Sequence, residues 1–308
     1  MRNAPNLRHI EAFRAVMLTG TVVGAASLTN VTQPAVSRTI ALLELQLGFK
    51  LFERRGRRLF PTAEAQTLYR EVERHYIGAE RIGQAAQDIR FQRAGAVRVA
   101  SLPALSLSVV PRALSMLLQS RPSVTATVQS LPSRQIAELV STGQYDVGIV
   151  EPPVSRASVI VEPLPHGNSV VIMPREHRLA SNKSVSFGDL HEERMVLVSQ
   201  HSYVRYQIDE ALSQANAFPN VVAETPNSLI AAALVAQGLG ISIVSGWTAE
   251  VFAHGDIVTR PLEGALASRL AIIFPESTAI SSLARAFATE VANALSHETD
   301  LGAESGGR

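Results

Sequence analysis

Gln33 opens a helical stretch, and its carboxamide can form the paired hydrogen bonds that adenine offers at N6 and N7 in a major groove. A glutamine that merely solvates a helix end is the plain alternative. Soon after, Arg54, Arg55, Arg57 and Arg58 crowd one ERRGRR turn, where guanidinium groups at such density suit phosphate or minor-groove contact better than a solvated charge run. A second group consists of hydroxyls and one acid. Ser101, Ser130, Ser133, Glu151, Ser202 and Thr225 each end an apolar strand-like run or open the helix that follows one. Converging hydroxyls and helix N-terminal N–H groups suit a carboxylate ligand, and Glu151 suits an amine or guanidinium. Simple helix capping is the alternative for each Ser and Thr.

Turnover chemistry is poorly supplied. There is no cysteine, no G-x-S-x-G elbow, and Gly238-Leu239-Gly240-Ile241-Ser242 fails G-x-G-x-x-G and precedes a strand. His166, His177, His191 and His201 are too dispersed for a metal site. We therefore expect no catalytic residue, no metal and no cofactor.

The elements that position these groups can be read from spacing. With 308 residues, 46% hydrophobic and 18% charged, the chain is globular and suits two domains with a connector. Residues 1–60 hold nine Lys/Arg against three acids, a net of +6, which leaves −5 for the rest of a chain whose total is +1. A basic head on an acidic body directs the head alone to a polyanion. In that head Leu7, Ile10, Phe13, Val16 and Met17 repeat at helical spacing between a capping Asn6 and a terminating Gly20. Thr21 caps a second helix with Ala25, Ala26 and Leu28 inward. After a turn at Asn30, a third helix carries Pro34 in its first turn and Val36, Ile40, Leu43 and Leu47 to Gly48. Leu28, Val36, Ile40 and Leu43 are expected in the core. Leu51, Phe52, Leu59 and Phe60 flank the basic turn as a β-wing.

From Thr62 to about Phe91 runs one uninterrupted helix. Its stripe of Ala65, Leu68, Val72, Ala79, Ile82, Ala86 and Ile89, broken only by His75, is narrow enough for a coiled-coil-like dimer seam rather than a helix packed on its own domain. Beyond Gly95 strands and helices alternate. AVRVAS, VTATVQS and YDVGIV are strands around the helices LSLSVVPRALSMLLQS, with an internal Pro111, and RQIAELVST. MVLV, VVAE and GISIVS begin a comparable series, so the reading is two doubly wound parallel lobes, with RLAIIF and a helix from about Ile280 to Leu295 closing the first. The domains are then residues 1–61, 62–92, 93–300, and a disordered polar tail at 301–308.

Between Ala25 and Thr62 the chain resembles the LysR-type transcriptional regulators. Ala25, Ala26, Leu28, Thr32-Gln33-Pro34-Ala35-Val36-Ser37-Arg38, Ile40, Leu43-Glu44, Leu47-Gly48, Leu51-Phe52-Glu53-Arg54, Arg57 and Thr62 fall on that family's pattern. Thr32 stands where Ser is frequent, Asn30 occupies the turn, and Ala65 replaces a frequent Gly. The resemblance implies an N-terminal all-α winged helix-turn-helix with a linker helix, followed by a C-terminal α/β two-lobed domain similar to periplasmic solute-binding proteins. It implies DNA contact at Thr32, Gln33 and Pro34, and phosphate contact at Ser37 and Arg38. It also implies a homodimer or homotetramer on double-stranded operator DNA, RNA polymerase as a further partner, and a small-molecule effector that shifts activation against repression.

SLPALSLSVVPRAL, LPSRQIAELVSTGQYDVGIVEPP and EAFRAVMLTG are most similar to regulators of opine catabolism, which respond to octopine or nopaline. An amino-acid or other organic-acid effector is the competing reading. A solute-binding protein would share the two lobes. The segment MRNAPNLRHIEAFR lacks an apolar signal region, however, and no stretch reaches roughly 18 apolar residues, so a cytoplasmic protein without membrane contact is expected.

Overall fold

The side chain of Asn6 accepts a hydrogen bond from the Arg8 amide and starts α1 (Leu7–Thr19), which Gly20 ends at φ 68°. These details come from a computed structural model that describes residues 6–55, 58–90, 95–154, 158–165, 167–200, 202–253, 255–264 and 266–304. The chain forms two compact units, Met1–Gln87 and Asp88–Arg308.

In the first unit Thr21 caps α2 (Val22–Leu28), Asn30 turns the chain at φ 54°, and α3 (Gln33–Leu47) takes Pro34 in its first turn. The hairpin β1 (Phe52–Arg55) and β2 (Arg58–Pro61) follows, then α4 (Ala63–Arg90). Phe13, Val16, Ala25, Val36, Leu43 and Leu51 form the core. Leu28, expected among them, is 55% exposed. It is the last residue of a two-turn helix, and the turn at Asn30 leads the chain away before another element covers it.

The apolar stripe of α4 is two surfaces. Ala65 and Val72 are buried in the head's own core and Leu68 packs against it, whereas His75, Ala79, Ile82 and Ala86 are exposed. The Ile89 side chain lies outside the described residues. A helix of 28 residues is about 42 Å long, more than a small head can cover.

In the second unit the first lobe is built from β3 (Ala96–Ser101), α5 (Pro103–Leu107), α6 (Val109–Ser120), β4 (Thr125–Ser130), α7 (Ser133–Ser141), β5 (Val147–Val150) and β6 (Val159–Pro163). The single helix read from LSLSVVPRALSMLLQS breaks at Ser108. Pro111 has no N–H, and its ring would meet the carbonyl of Leu107 in a continuous helix. It sits instead in the first turn of α6.

The chain then crosses to a second lobe made of β7 (Gly167–Pro174), β8 (Arg194–Val198), α8 (Tyr203–Gln214), β9 (Asn220–Thr225), α9 (Ser228–Ala236), β10 (Ser242–Ser245), α10 (Gly246–Val251), β11 (Ile257–Pro261) and β12 (Ala267–Ser268). It returns for β13 (Ala271–Pro275) and α11 (Ser282–Glu304). The first sheet has the order β4-β3-β5-β13-β6. β3 is parallel to β4 and β5, but β13 runs antiparallel to both β5 and β6. β7 is antiparallel to β10, β11 and β12, while β8 and β9 are parallel.

The expected all-parallel sheets are thus mixed, because strands that cross between lobes enter each sheet from the opposite end. RLAIIF does close the first lobe as β13, and α11 lays Phe287, Val291 and Leu295 on Val110, Leu114 and Leu117. The backbone of α11 continues to Glu304, into the segment read as a tail, and residues 305–308 lie outside the described residues. Among the described residues no single helix is long and apolar enough to cross a membrane.

Candidate nucleic-acid interface and effector site

The inward side of α3 is set by Val36, Ile40 and Leu43, which bury against the head. Its N-terminal half therefore presents Thr32, Gln33, Pro34, Ser37 and Arg38, all exposed. Gln33 and Ser37, like Pro34 and Arg38, are four residues apart and so stack on one face. Thr32 takes the N-cap position without a side-chain cap bond. In the wing, Arg55 pairs with Arg58 across the hairpin. The side chains of Arg54, Arg55 and Arg58, and Arg57 altogether, lie outside the described residues.

Two further side chains fix the base of the wing. Glu44, buried on α3, accepts hydrogen bonds from the amides of Leu51 at 2.9 Å and Phe52 at 3.3 Å and from Lys50 Nζ at 2.6 Å. Burial alone would raise its carboxyl, but the bonds from Lys50, Leu51 and Phe52 outweigh burial and hold it below the ordinary 4.5. Thr62 caps α4 by accepting from the Ala65 amide at 3.1 Å, and its hydroxyl donates to the carbonyl of Lys50 at 2.9 Å. The sequence reading gave neither residue a role. A signal was present for Glu44, because an acid at position 44 continues the apolar spacing of Val36 and Ile40.

In the second unit, parallel β3, β4 and β5 end at one edge, with Ser101 opposite both Ser130 and Ile149. The sheet thereby brings Ser101, Ser130, Ser133 and Glu151 together. Ser133 Oγ accepts from the Glu151 amide at 2.9 Å. Burial pushes the Glu151 carboxyl up to about 7. Ser130 is exposed, whereas Ser101 is fully buried with its hydroxyl toward the Leu102 carbonyl.

In the second lobe the Ser199 amide donates to the Thr225 carbonyl at 2.8 Å, which joins the ends of β8 and β9. Ser202 caps α8 by accepting from the Arg205 amide at 3.1 Å, and buried Thr225 donates to the Asn227 carbonyl at 2.9 Å. The hydroxyls of Ser101 and Thr225 each donate to a neighbouring backbone carbonyl, of Leu102 and Asn227, at the ends of β3 and β9, on the rims of the two lobes. Sequence reasoning also missed Arg205, which donates to Val198 O and Glu224 at 2.9 Å and to Asp209 at 2.8 Å and so ties this rim together.

The two rims border one junction. α5 follows Ser101, α9 and α10 follow β9 and β10, and these helices pack on one another. Trp247 of α10 joins the apolar core of the first lobe. A surface cavity of about 490 Å³, lined by Gly95, Arg121, Ser123 and Ser282, lies at the other end of β3 and β4, and no sequence signal marked it.

Comparison with known proteins agrees with this division. Residues 7–66 match the model of the bacterial regulatory helix-turn-helix protein, lysR family, and residues 91–296 match that of the LysR substrate binding domain. The regulatory protein NocR of Agrobacterium fabrum (strain C58 / ATCC 33970) is 35% identical over 288 residues, covering 94% of this chain and 96% of that protein. The octopine catabolism/uptake operon regulatory protein OccR of Rhizobium meliloti is 35% identical over 287 residues, covering 92% and 94%. The transcriptional activator protein LysR of Escherichia coli (strain K12) is 33% identical over 284 residues, covering 92% and 91%. Among solved structures, full-length CbnR complexed with its target DNA shares the fold at a TM-score of 0.69 and 20% identity, over 94% of this chain and 99% of that one. With a winged helix-turn-helix head, a two-lobed effector-binding domain and relatives along nearly its whole length, the chain belongs to the LysR family of DNA-binding transcriptional regulators, which are not enzymes.

Proposed function

We propose that this regulator is switched by an opine or amino-acid-like effector that binds between the lobes of its C-terminal domain. Glu151 carries the reading. A largely buried carboxyl at the end of β5, its amide held by Ser133, suits a guanidinium or ammonium group. Exposed Ser130 and the hydroxyls of Ser133 and Ser202 suit the carboxylates of the same molecule. The similarity to OccR, whose name refers to octopine, supports the choice of ligand class.

On DNA, the N-terminal half of α3 reads bases through Gln33, with Thr32 and Pro34 beside it, while Ser37, Arg38 and the wing arginines at 54, 55, 57 and 58 hold the backbone. The exposed stretch of α4 at His75, Ala79, Ile82 and Ala86 is the seam of a homodimer, two of which form a tetramer. The protein works in the cytoplasm, beside RNA polymerase. An effector that binds two arrangements of the dimer with different affinity shifts the balance between activation and repression.

A thermal-shift screen of octopine, nopaline, arginine, lysine and simple organic acids tests the ligand class. A guanidinium-bearing opine is expected to raise the melting temperature, and Glu151→Ala is expected to abolish that rise while leaving DNA binding intact. Stabilisation by a simple organic acid alone would place the effector in the competing class. On DNA, Gln33→Ala is expected to cost about 1–3 kcal/mol on a selected operator and almost nothing on random duplex. Equal losses on both would remove the base-reading role.

A further inference from the structure

Lys50 and Leu51 lead from the end of α3 into Phe52, the first residue of the wing, and the polar groups of this stretch are claimed from both sides. From the α3 side, Glu44 Oε1 takes the amides of Leu51 and Phe52. From the α4 side, Thr62 Oγ1 donates to the Lys50 carbonyl, and the Thr62 amide donates to the Leu51 carbonyl at 3.0 Å. Along the hairpin's own ladder the Leu51 amide would meet the Thr62 carbonyl, but that carbonyl accepts from the Gln66 amide at 3.1 Å, and Glu44 takes the Leu51 amide instead. Leu51 itself is fully buried, so a wing displaced from this seat would expose it.

We propose that Glu44 and Thr62 are positioning residues for DNA binding. Between them they hold the backbone of Lys50–Phe52 and so set the angle between the arginine-bearing wing and α3. The junction also joins the wing to the N-terminus of the linker helix, because the hydroxyl that holds Lys50 is the one that caps α4. A tilt of α4 relative to the head is therefore transmitted to the wing through Thr62. This inference rests on the reading of the wing as a DNA contact.

The test uses the full chain and a duplex selected by the wild-type protein from a random pool. In the wild-type background Arg54→Ala is expected to lower the salt slope of binding by about one. Glu44→Ala is expected to weaken binding roughly tenfold and to make the further Arg54→Ala change silent, because the wing has already left its contact. Glu44→Gln, which keeps an acceptor for the Leu51 amide, is expected to restore most of the affinity. Hydrogen exchange at Leu51 and Phe52 is expected to accelerate in Glu44→Ala, and Thr62→Val is expected to reproduce the loss of wing contact. Additive effects of Glu44→Ala and Arg54→Ala would overturn the proposal, as would unchanged exchange at Leu51. A wild-type salt slope in Arg54→Ala alone would overturn the wing contact itself, and the proposal with it. Through all variants, Gln33→Ala is expected to keep its selective cost on the chosen duplex, a pattern that unfolding of the head would erase.

Discussion

Arg112 on α6 and Glu250 on α10 meet across the two lobes, with Nη1 3.1 Å from Oε1 and Nη2 3.1 Å from Oε2. Both side chains are about two-fifths exposed, so the pair contributes less than about 1 kcal/mol to stability. Its effect is on spacing. α10 also carries Trp247, the sole tryptophan, whose indole is seated in the core of the first lobe. Glu250→Arg is expected to leave the melting temperature within a few degrees of wild type while increasing acrylamide quenching of the indole. The exchanged pair Arg112→Glu with Glu250→Arg is expected to return quenching to its original value. Identical quenching in the wild type and in Glu250→Arg would show that the pair does not hold the lobes.

Gly167 opens β7 where the chain enters the second lobe, and a Cβ built there would stand 2.6 Å from Trp247 Cη2. The ring cannot yield without leaving its seat. Gly167→Ala is accordingly expected to destabilise the second unit by about 1–3 kcal/mol and to shift the tryptophan emission to longer wavelength. Chemical denaturation followed by fluorescence measures both, and wild-type stability with an unshifted emission would place the indole elsewhere.

Arg14 of α1 pairs with Glu73 of α4 through Nε at 2.7 Å and lies over the Tyr76 ring at 4.3 Å. The Glu73 hydrogen bond holds the guanidinium above its usual range against the opposing effect of burial. Since both partners are largely covered, Glu73→Ala is expected to destabilise the head by roughly 2 kcal/mol. Ile82→Glu, on the exposed stretch of the same helix, is expected to leave the monomer's stability unchanged and to dissociate dimers in sedimentation. Dimers that survive Ile82→Glu would exclude this stretch as the seam.

The Glu151 carboxyl, pushed up to about 7 by burial, gives the second unit a predictable pH response. Unfolded, the group loses its proton near 4.5; folded, it keeps it until about 7. Folding thus takes up a proton between those values, and stability falls across that window as pH rises. Above pH 7 the buried charge is uncompensated. Glu151→Gln is expected to stabilise the protein by roughly 2 kcal/mol at pH 8 and to have little effect at pH 4.5. Melting curves at both pH values check it, and equal effects at the two would mean that the carboxyl does not titrate in this range.

Local devices were legible from residue types and short spacings alone. Asn6, Thr21, Gly20 and Gly48 cap or end the helices of the head as their side chains, or the lack of one, dictate. The inward face of α3 follows from Val36, Ile40 and Leu43, and with it the outward placement of Gln33 and Arg38. Parallel β3, β4 and β5 could be read because each strand is linked to the next by a helix, and that reading brought Ser130, Ser133 and Glu151 to one edge.

Whatever depends on partners far along the chain was decided by the tertiary structure. β13 runs antiparallel to its neighbours β5 and β6, and β7 to β10 and β11, because the chain crosses between lobes, a choice that no strand's own residues record. The residue types of Ser101 and Thr225 left open how far they are covered, and the folded sheets bury both with their hydroxyls on nearby carbonyls. The α4 stripe is continuous in sequence, but the head covers only its first turns, which separates Val72 from Ile82. Glu44 falls on the inward face of α3 with Val36 and Ile40, where an unpartnered charge would be costly. Only the amides of Leu51 and Phe52 and the ammonium of Lys50, brought to it by the turn after Gly48, make its burial favourable.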